Sequence, residues 1–184
     1  MRCASPIRDW WATFGVLLLL LAPALTSHAQ NVSEDQVKAA YVYNFAKFVE
    51  WPLRDFVTPN APLRVCVLDD PSFQSELIRI VKDKSVAGHP VMVVPVDEAD
   101  QSRDCHILFI GSSQQRQLRH ILEDLRENNV LTVGESRGFM QAGGIINFVL
   151  QDDRVQFEVN HKAAKQAGLD VSSRLLAVAK IVVE

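Results

Sequence analysis

LRVCVLDDPSFQSELIRIV, residues 63–81, decides the fold. Leu63 to Leu68 is a short, β-branched, mostly apolar run with prolines before it and Asp-Asp-Pro after it, which reads as a buried strand. Residues 72–83 then read as a helix, with Ser72 or Asp70 as its cap. The same alternation recurs downstream. VMVVPV (91–96) is a second strand, whose Pro95 predicts an edge position or the strand's end. CHILFI (105–110) is a third, followed by Gly111-Ser-Ser and a charged amphipathic helix over 114–127. NVLTVGE (129–135) is a fourth. Strands alternating with helices predict βαβ crossovers and a largely parallel sheet.

Both flanks of this unit differ from it. In GGIINFVLQDDRVQFEVN, strands over about 145–150 and 155–160 surround Asp152-Asp153, which predicts an antiparallel hairpin. Ala163 to Ala167 reads as a short helix ended by Gly168, and Ser172 caps a last helix, SSRLLAVAKIV. On the N-terminal side, Ser33-Glu-Asp-Gln36 is a capping-box pattern. It opens a helix expected to reach about Glu50, before Pro52 disfavours a helical Trp51. Val37, Tyr41, Val42, Phe45, Phe48 and Val49 fall in one arc of that helix. Tyr43, Asn44, Lys47 and Glu50 lie opposite, with Trp51 near them. Lys38 lands inside the apolar arc, where it must snorkel or find a partner. The expectation is one α/β domain: a mixed, mainly parallel sheet with a C-terminal antiparallel hairpin and flanking helices.

Arg2 and Arg8 precede the apolar run FGVLLLLLAPAL and the small residues SHA, the layout of a secretory signal peptide cleaved after Ala29. The alternative, an N-terminal anchor, is disfavoured because the run falls short of the ~20 residues that span a bilayer and contains Pro23. The reading is therefore a signal peptide over 1–29, a domain over 30–184 and a periplasmic location. Cleavage removes two positive charges and one negative charge, taking the formal net charge from −3 to −4. That mild acidity leaves no basic stripe for phosphates, so nucleic acid is not an expected partner. Cys3 departs with the leader, leaving Cys66 and Cys105. An isolated pair in an oxidising compartment is expected to bond, the alternative being two buried thiols.

No catalytic set emerges. Asp69-Asp70 after the first strand invites comparison with the paired acids of receiver domains. The third strand, however, ends Phe109-Ile110-Gly111-Ser112 without a carboxylate, so a turn and helix cap is the better reading. Gly111-Ser112-Ser113 suits an anion by position but lacks the Walker and nucleophile-elbow patterns. Gly143-Gly144 reads as a bend entering the hairpin. His89, His106, His120 and His161 show no paired metal-ligand spacing, and a Cys105–His106 nucleophile would be oxidised in this compartment. No metal and no cofactor is expected. Glu158 and Asn160 share one strand face, and Arg174 is placed to reach it. The choice there lies between an Arg–carboxylate bridge and a polar pocket for a small effector.

KAAYVYNFAKFVEWP (38–52), CHILFI, LTV, GGIINFV, FEVN and SSRLLAVAK, in this order and spacing, resemble the YfiR family of periplasmic regulators, over nearly the whole chain after the leader. Lys38, Asn44, Phe45, Phe48, Trp51 and Pro52 match the opening motif, and Gly143, Gly144, Glu158, Asn160 and Arg174 the later ones. The resemblance implies a non-enzymatic repressor that holds the periplasmic sensor region of a membrane-bound diguanylate cyclase, YfiN, inactive. It also implies release by the outer-membrane lipoprotein YfiB, a rise in cyclic-di-GMP and biofilm formation on release, homodimerisation and a redox response through disulfides. Cys66 and Cys105 sit where a family disulfide would be. A second cysteine pair of the family's C-terminal half is missing here.

Three functions are therefore weighed. The first is a sensor-cyclase repressor that uses Tyr43, Asn44, Lys47 and Trp51 as partner contacts, since aromatic anchors dominate interface energies. The second is a binding module for a nucleotide or amino acid, gripped by Glu158, Asn160 and Arg174. The weakest is a hydrolase using Ser112 or Cys105.

Overall fold

The computed structural model describes residues 32–184, so the expected leader over 1–29, Cys3 included, lies outside the described residues. In chain order the elements are α1 (Glu34–Phe45), β1 (Val49–Glu50), β2 (Leu63–Leu68), α2 (Pro71–Val81), β3 (Ser85–Val86), β4 (His89–Val96), β5 (Ile107–Ile110) and α3 (Leu118–Asp124). There follow β6 (Leu131–Gly134), β7 (Ile146–Gln151), β8 (Arg154–Asn160), α4 (His161–Gln166), β9 (Asp170–Val171), α5 (Ser173–Leu176) and β10 (Ile181–Val183). Eight strands form one sheet in the order β10-β8-β7-β6-β5-β2-β4-β3, while β1 and β9 form a separate two-stranded antiparallel ribbon. Within the large sheet only β7–β8 and β3–β4 run antiparallel. The result is a mixed α/β domain with a mostly parallel central sheet.

Period-two alternation sends the central strands to two cores. Val65, Val67, Ile107 and Phe109 join α1 and α2 on one face. Cys66, Leu68, Leu108 and Ile110 join α3 on the other. Burial on both faces is why these strands read as unbroken apolar runs. Pro95 lies on β4, which meets only the two-residue β3 on its outer side, in keeping with the edge expectation. The hairpin turns through Asp152 and Asp153, both in the left-handed region at φ 50° and 56°, the conformation a tight two-residue hairpin turn demands. Asp70 caps α2, its carboxylate accepting the Phe73 N–H at 3.0 Å. Gly134 and Gly144 flank the buried Phe139 ring, and a Cβ on either would drive into it. Gly144 is therefore a packing site more than a bend.

Three expected helices are shortened. The first stops at Phe45 instead of Glu50, because Val49 and Glu50 are drawn into pairing with Val171 and Asp170, and the Phe48 carbonyl accepts the Ser172 N–H at 2.8 Å. Its buried face is also rotated: Lys38, Ala39, Val42 and Phe45 are inside, while Val37 and Tyr41 are half-buried. The helix expected over 114–127 is a 3₁₀ turn at Ser112–Arg116 followed by α3 alone. The final helix lasts one turn. Beyond it, β-branched Ile181, Val182 and Val183 pair in parallel with Glu158, Val159 and Asn160.

Candidate interaction surface

The turn after α1 carries the side chains offered outward by the opening stretch. Asn44 and Lys47 are exposed, the Lys47 ammonium donating to Asn44 Oδ1 at 3.0 Å. Tyr43 is half-buried, not free on a polar side. Lys47 Nζ and Lys84 Nζ sit 4.0 and 4.7 Å from its ring centroid, a cation–π arrangement. Trp51 turns inward as well. Its indole N–H donates to the His106 carbonyl at 3.1 Å, and its ring meets the His106 imidazole edge-on at 6.0 Å.

Lys47 and Trp51 line a groove of about 470 Å³ together with Leu53, Phe56, Leu63 and His89. Phe56 stacks on His89 at 3.8 Å and on His106 at 4.5 Å. Leu53 and Val57 are 88% and 92% exposed. The sequence reading passed over Leu53, Phe56 and Val57. The signal was there: apolar residues between Pro52 and Pro59 that belong to neither a strand nor a helix pattern. Cys105, joined to Cys66 by a disulfide with Cα atoms 6.0 Å apart, leads directly into His106, the ring that Trp51 and Phe56 pack against.

His106 is buried and neutral. Its Nδ1 accepts the Arg64 N–H at 3.0 Å, which places the ring proton on Nε2, a buried atom with no partner. Burial, assisted by the Arg64 and His89 charges and opposed by Asp55, holds its pKa below the ordinary 6.5. The unfolded chain therefore takes up a proton near pH 6.5 that the folded ring refuses until lower pH. Stability from this group is present above 6.5 and lost as pH falls through the native pKa. His106→Gln should flatten the decline in melting temperature between about pH 7 and 5. An unchanged profile would refute the assignment.

The C-terminal trio is not one site. Glu158 meets Asn147, whose Nδ2 lies 3.5 Å from its carboxylate, and Asn160 caps α4 by accepting the Ala163 N–H at 2.9 Å. Among the described residues no bridge joins Arg174 to Glu158. Arg174 instead lines a separate groove of about 640 Å³ with Lys47, His161, Lys165 and Asp170. The expected bridge fails because Leu175 of α5 packs with Phe157 and Val159, on the face of β8 opposite to Glu158. Lys38 does find partners, Glu34 Oε1 at 2.5 Å and the Glu135 carboxylate. Asp69 accepts from Ser113 Oγ at 2.6 Å and Gln114 Nε2 at 2.9 Å, and these bonds hold its carboxyl below the usual range. Among the described residues no group of three His, Cys, Asp or Glu is placed to hold a metal, and no helix is long and apolar enough to cross a membrane.

Fold and surface together define a small mixed α/β domain with an aromatic-lined groove beside a disulfide. The YfiR/HmsC-like family matches residues 35–180, and the chain belongs to it. Membership implies a periplasmic, regulatory protein of cyclic-di-GMP signalling. Among solved structures, a conserved domain protein from Vibrio cholerae O1 biovar El Tor is similar in fold at a TM-score of 0.57 and 9% identity. The match covers 82% of this chain and 60% of that one. No curated protein matches.

Proposed function

We propose that the chain, after loss of residues 1–29, is a periplasmic repressor whose domain over 30–184 binds the periplasmic sensor region of a YfiN-like inner-membrane diguanylate cyclase. Binding favours the inactive conformation of the cyclase and so lowers cyclic-di-GMP and biofilm formation. Repression across the membrane needs only a difference in affinity between two cyclase conformations. A YfiB-like lipoprotein relieves repression by competing for the regulator, the regulator dimerises, and its one disulfide carries any redox response. The family match over residues 35–180 carries this reading. The Tyr43, Asn44, Lys47 and Trp51 corner is the partner surface, with Leu53 and Phe56 as apolar neighbours.

The two exposed residues give the cleanest test. Lys47→Glu, made in the protein produced from its full-length gene, should weaken calorimetric binding to the periplasmic domain of a neighbouring-gene cyclase by about tenfold or more. The thermal midpoint should fall by no more than about 4 °C, the cost of losing one exposed cation–π contact with Tyr43. Wild type that fails to bind that domain overturns the reading. Trp51→Ala is a poorer probe, because the indole bonds to the His106 carbonyl and its loss should lower the midpoint as well.

A second reading, a binding module for a small anionic molecule, rests on Arg174 standing with Lys47, His161 and Lys165 around the larger groove. Calorimetric binding of a nucleotide that Arg174→Ala removes would favour it over the first.

A further inference from the structure

Residues 52–62 run from β1 to β2 as a strap across the N-terminal ends of the central strands, and none of them is buried. Among the described residues two hydrogen bonds pin it there. Asn129, two residues before β6, donates from Nδ2 to Asp55 Oδ1 at 3.2 Å, and His89 donates from Nδ1 to the Ala61 carbonyl at 2.7 Å. Phe56 is the third anchor. Its ring stacks on His89 at 3.8 Å and 19° and on His106 at 4.5 Å and 21°. His89 opens β4 and His106 immediately precedes β5, and these strands flank β2, roughly 9.6 Å apart at the usual spacing. Phe56 fills that interval with an imidazole on each face. A segment held by so few contacts, with its side chains near water, sits at the low-stability end of a fold.

Of the three anchors, the His106 stack is the one that a proton undoes. Nδ1 accepts the Arg64 N–H, a bond that only a neutral ring can make. Nε2 and Asp55 Oδ2 are both buried without a partner. The charged groups facing the ring are Asp55 from the strap, Arg64 from β2 and His89 across Phe56, with Asp104 4.0 Å from the Arg64 guanidinium. A proton gained at Nδ1 sets donor against donor, and burial leaves the new charge poorly hydrated. Asp55 attracts that charge, but burial and the two cationic neighbours outweigh it. Relief comes when the ring swings out of the stack into water.

We propose that residues 52–62 form an acid-released clasp: a proton on His106 breaks its stack on Phe56, the strap lifts from the strand ends, and the groove lined by Trp51, Leu53 and Phe56 comes apart while both cores stay folded. The cores survive because the strap lends no pairing to the large sheet and no buried residue to either cluster. The sign follows from where the proton binds better. In the lifted strap the ring titrates near its ordinary 6.5, and in the closed one below it. The clasp is therefore fully held above pH 6.5 and weakens as pH falls through the native value. One proton raises the open-to-closed ratio by at most about tenfold per pH unit. Under the repressor reading, capture of the sensor region weakens in acid. Release of the strap itself does not depend on that reading.

Trp51 is the only tryptophan in residues 30–184, and its indole meets His106 edge-on, so it reports the clasp in the cleaved protein produced from its full-length gene. Between about pH 8 and 4.5 the Stern–Volmer constant for acrylamide quenching of Trp51 should rise severalfold. The rise should be one reversible step with its midpoint below 6.5, at constant far-ultraviolet circular dichroism. His106→Gln should remove the step. Phe56→Ala should be quenched at neutral pH as strongly as wild type in acid. Asp55→Asn takes away the one attraction for the charged ring and should move the midpoint to lower pH, and it decides the matter should His106→Gln misfold. Quenching that ignores pH overturns the proposal. So does a step that survives His106→Gln, one that coincides with loss of circular dichroism, or a midpoint that Asp55→Asn raises or leaves in place.

Discussion

Removing the Cys66–Cys105 bond should lower the free energy of unfolding by roughly 4 kcal/mol, the chain-entropy figure for a loop of this length. The cysteines are 39 residues apart, and the loop they close holds α2, β3 and β4. Its ends are already neighbours in the folded state, since Val65 pairs with Ile107 two residues after Cys105. The bond therefore acts chiefly on the unfolded chain, and its loss leaves the native sheet pairing in place. Both cysteines are buried, at 1% and 6% exposure, among Leu68, Leu108 and Ile110. Alanine at both positions should accordingly add a modest packing loss to the entropic one. For a domain of this size the melting temperature should fall by about 8–16 °C. Mass measurement after alkylation without reductant should find neither thiol modified in native protein. Two modified sites, or a Cys66→Ala/Cys105→Ala protein that melts within a degree of wild type, would contradict the argument. Because Cys105 runs into His106, reduction should also loosen the wall against which Trp51 and Phe56 pack, which gives the groove a physical route to redox sensitivity.

The parts of the fold legible in the sequence are those governed by local pattern. β2, β5 and β6 are buried on both faces and announce themselves as apolar runs. Ser33 and Gln36 form the capping box their spacing predicts, with Gln36 N–H to Ser33 Oγ at 3.2 Å. Asp152 and Asp153 make the turn their position predicts. What escaped is decided by residues distant in sequence. Nothing local ends α1 at Phe45. The partner strand that stops it, Asp170–Val171, lies more than a hundred residues away. Ile181–Val183 continues a helical pattern on paper, yet a free edge on β8 claims it. The candidate surface divides in the same way. Asn44 and Lys47 are exposed as their arc predicts, whereas Trp51 finds an inward acceptor on His106 that only the tertiary fold supplies. Glu158 and Arg174 are joined in the sequence by plausible reach alone, whereas Glu158 meets Asn147 and Arg174 lines a groove without it.

Lys38 gives the second large effect, for it is a buried charge whose neighbours decide its cost. It projects from α1 toward the C-terminal end of β6, where Glu34 and Glu135 hold its ammonium, and its side chain is only 8% exposed. Glu135 is 20% exposed and Glu34 46%. Removing one member of a buried pair strands the other's charge in a poorly solvated site. Lys38→Met should therefore destabilise by about 3 kcal/mol, the lower end of the usual range because Glu34 reaches water. Glu135→Leu should cost less, since Glu34 still serves the ammonium. The double variant should recover most of the loss, because two apolar side chains of similar volume leave no charge unmatched. That non-additivity separates an ion pair from simple packing, and a double variant equal to the sum of the singles would refute the pairing. The pH dependence is a second check. Burial alone would lower the Lys38 pKa, but hydrogen bonds and attraction from Glu135 and Glu34 outweigh it and raise the pKa above its ordinary 10.5. The stabilisation is thus complete below pH 10.5 and lost as pH climbs through the higher native value. Wild type and Lys38→Met should differ by a constant amount at neutral pH and converge only in strong alkali. Convergence near pH 8 would show the ammonium poorly held. Because this pair ties α1 to the sheet, its loss should also blur the placement of Asn44 and Lys47, six and nine residues further on.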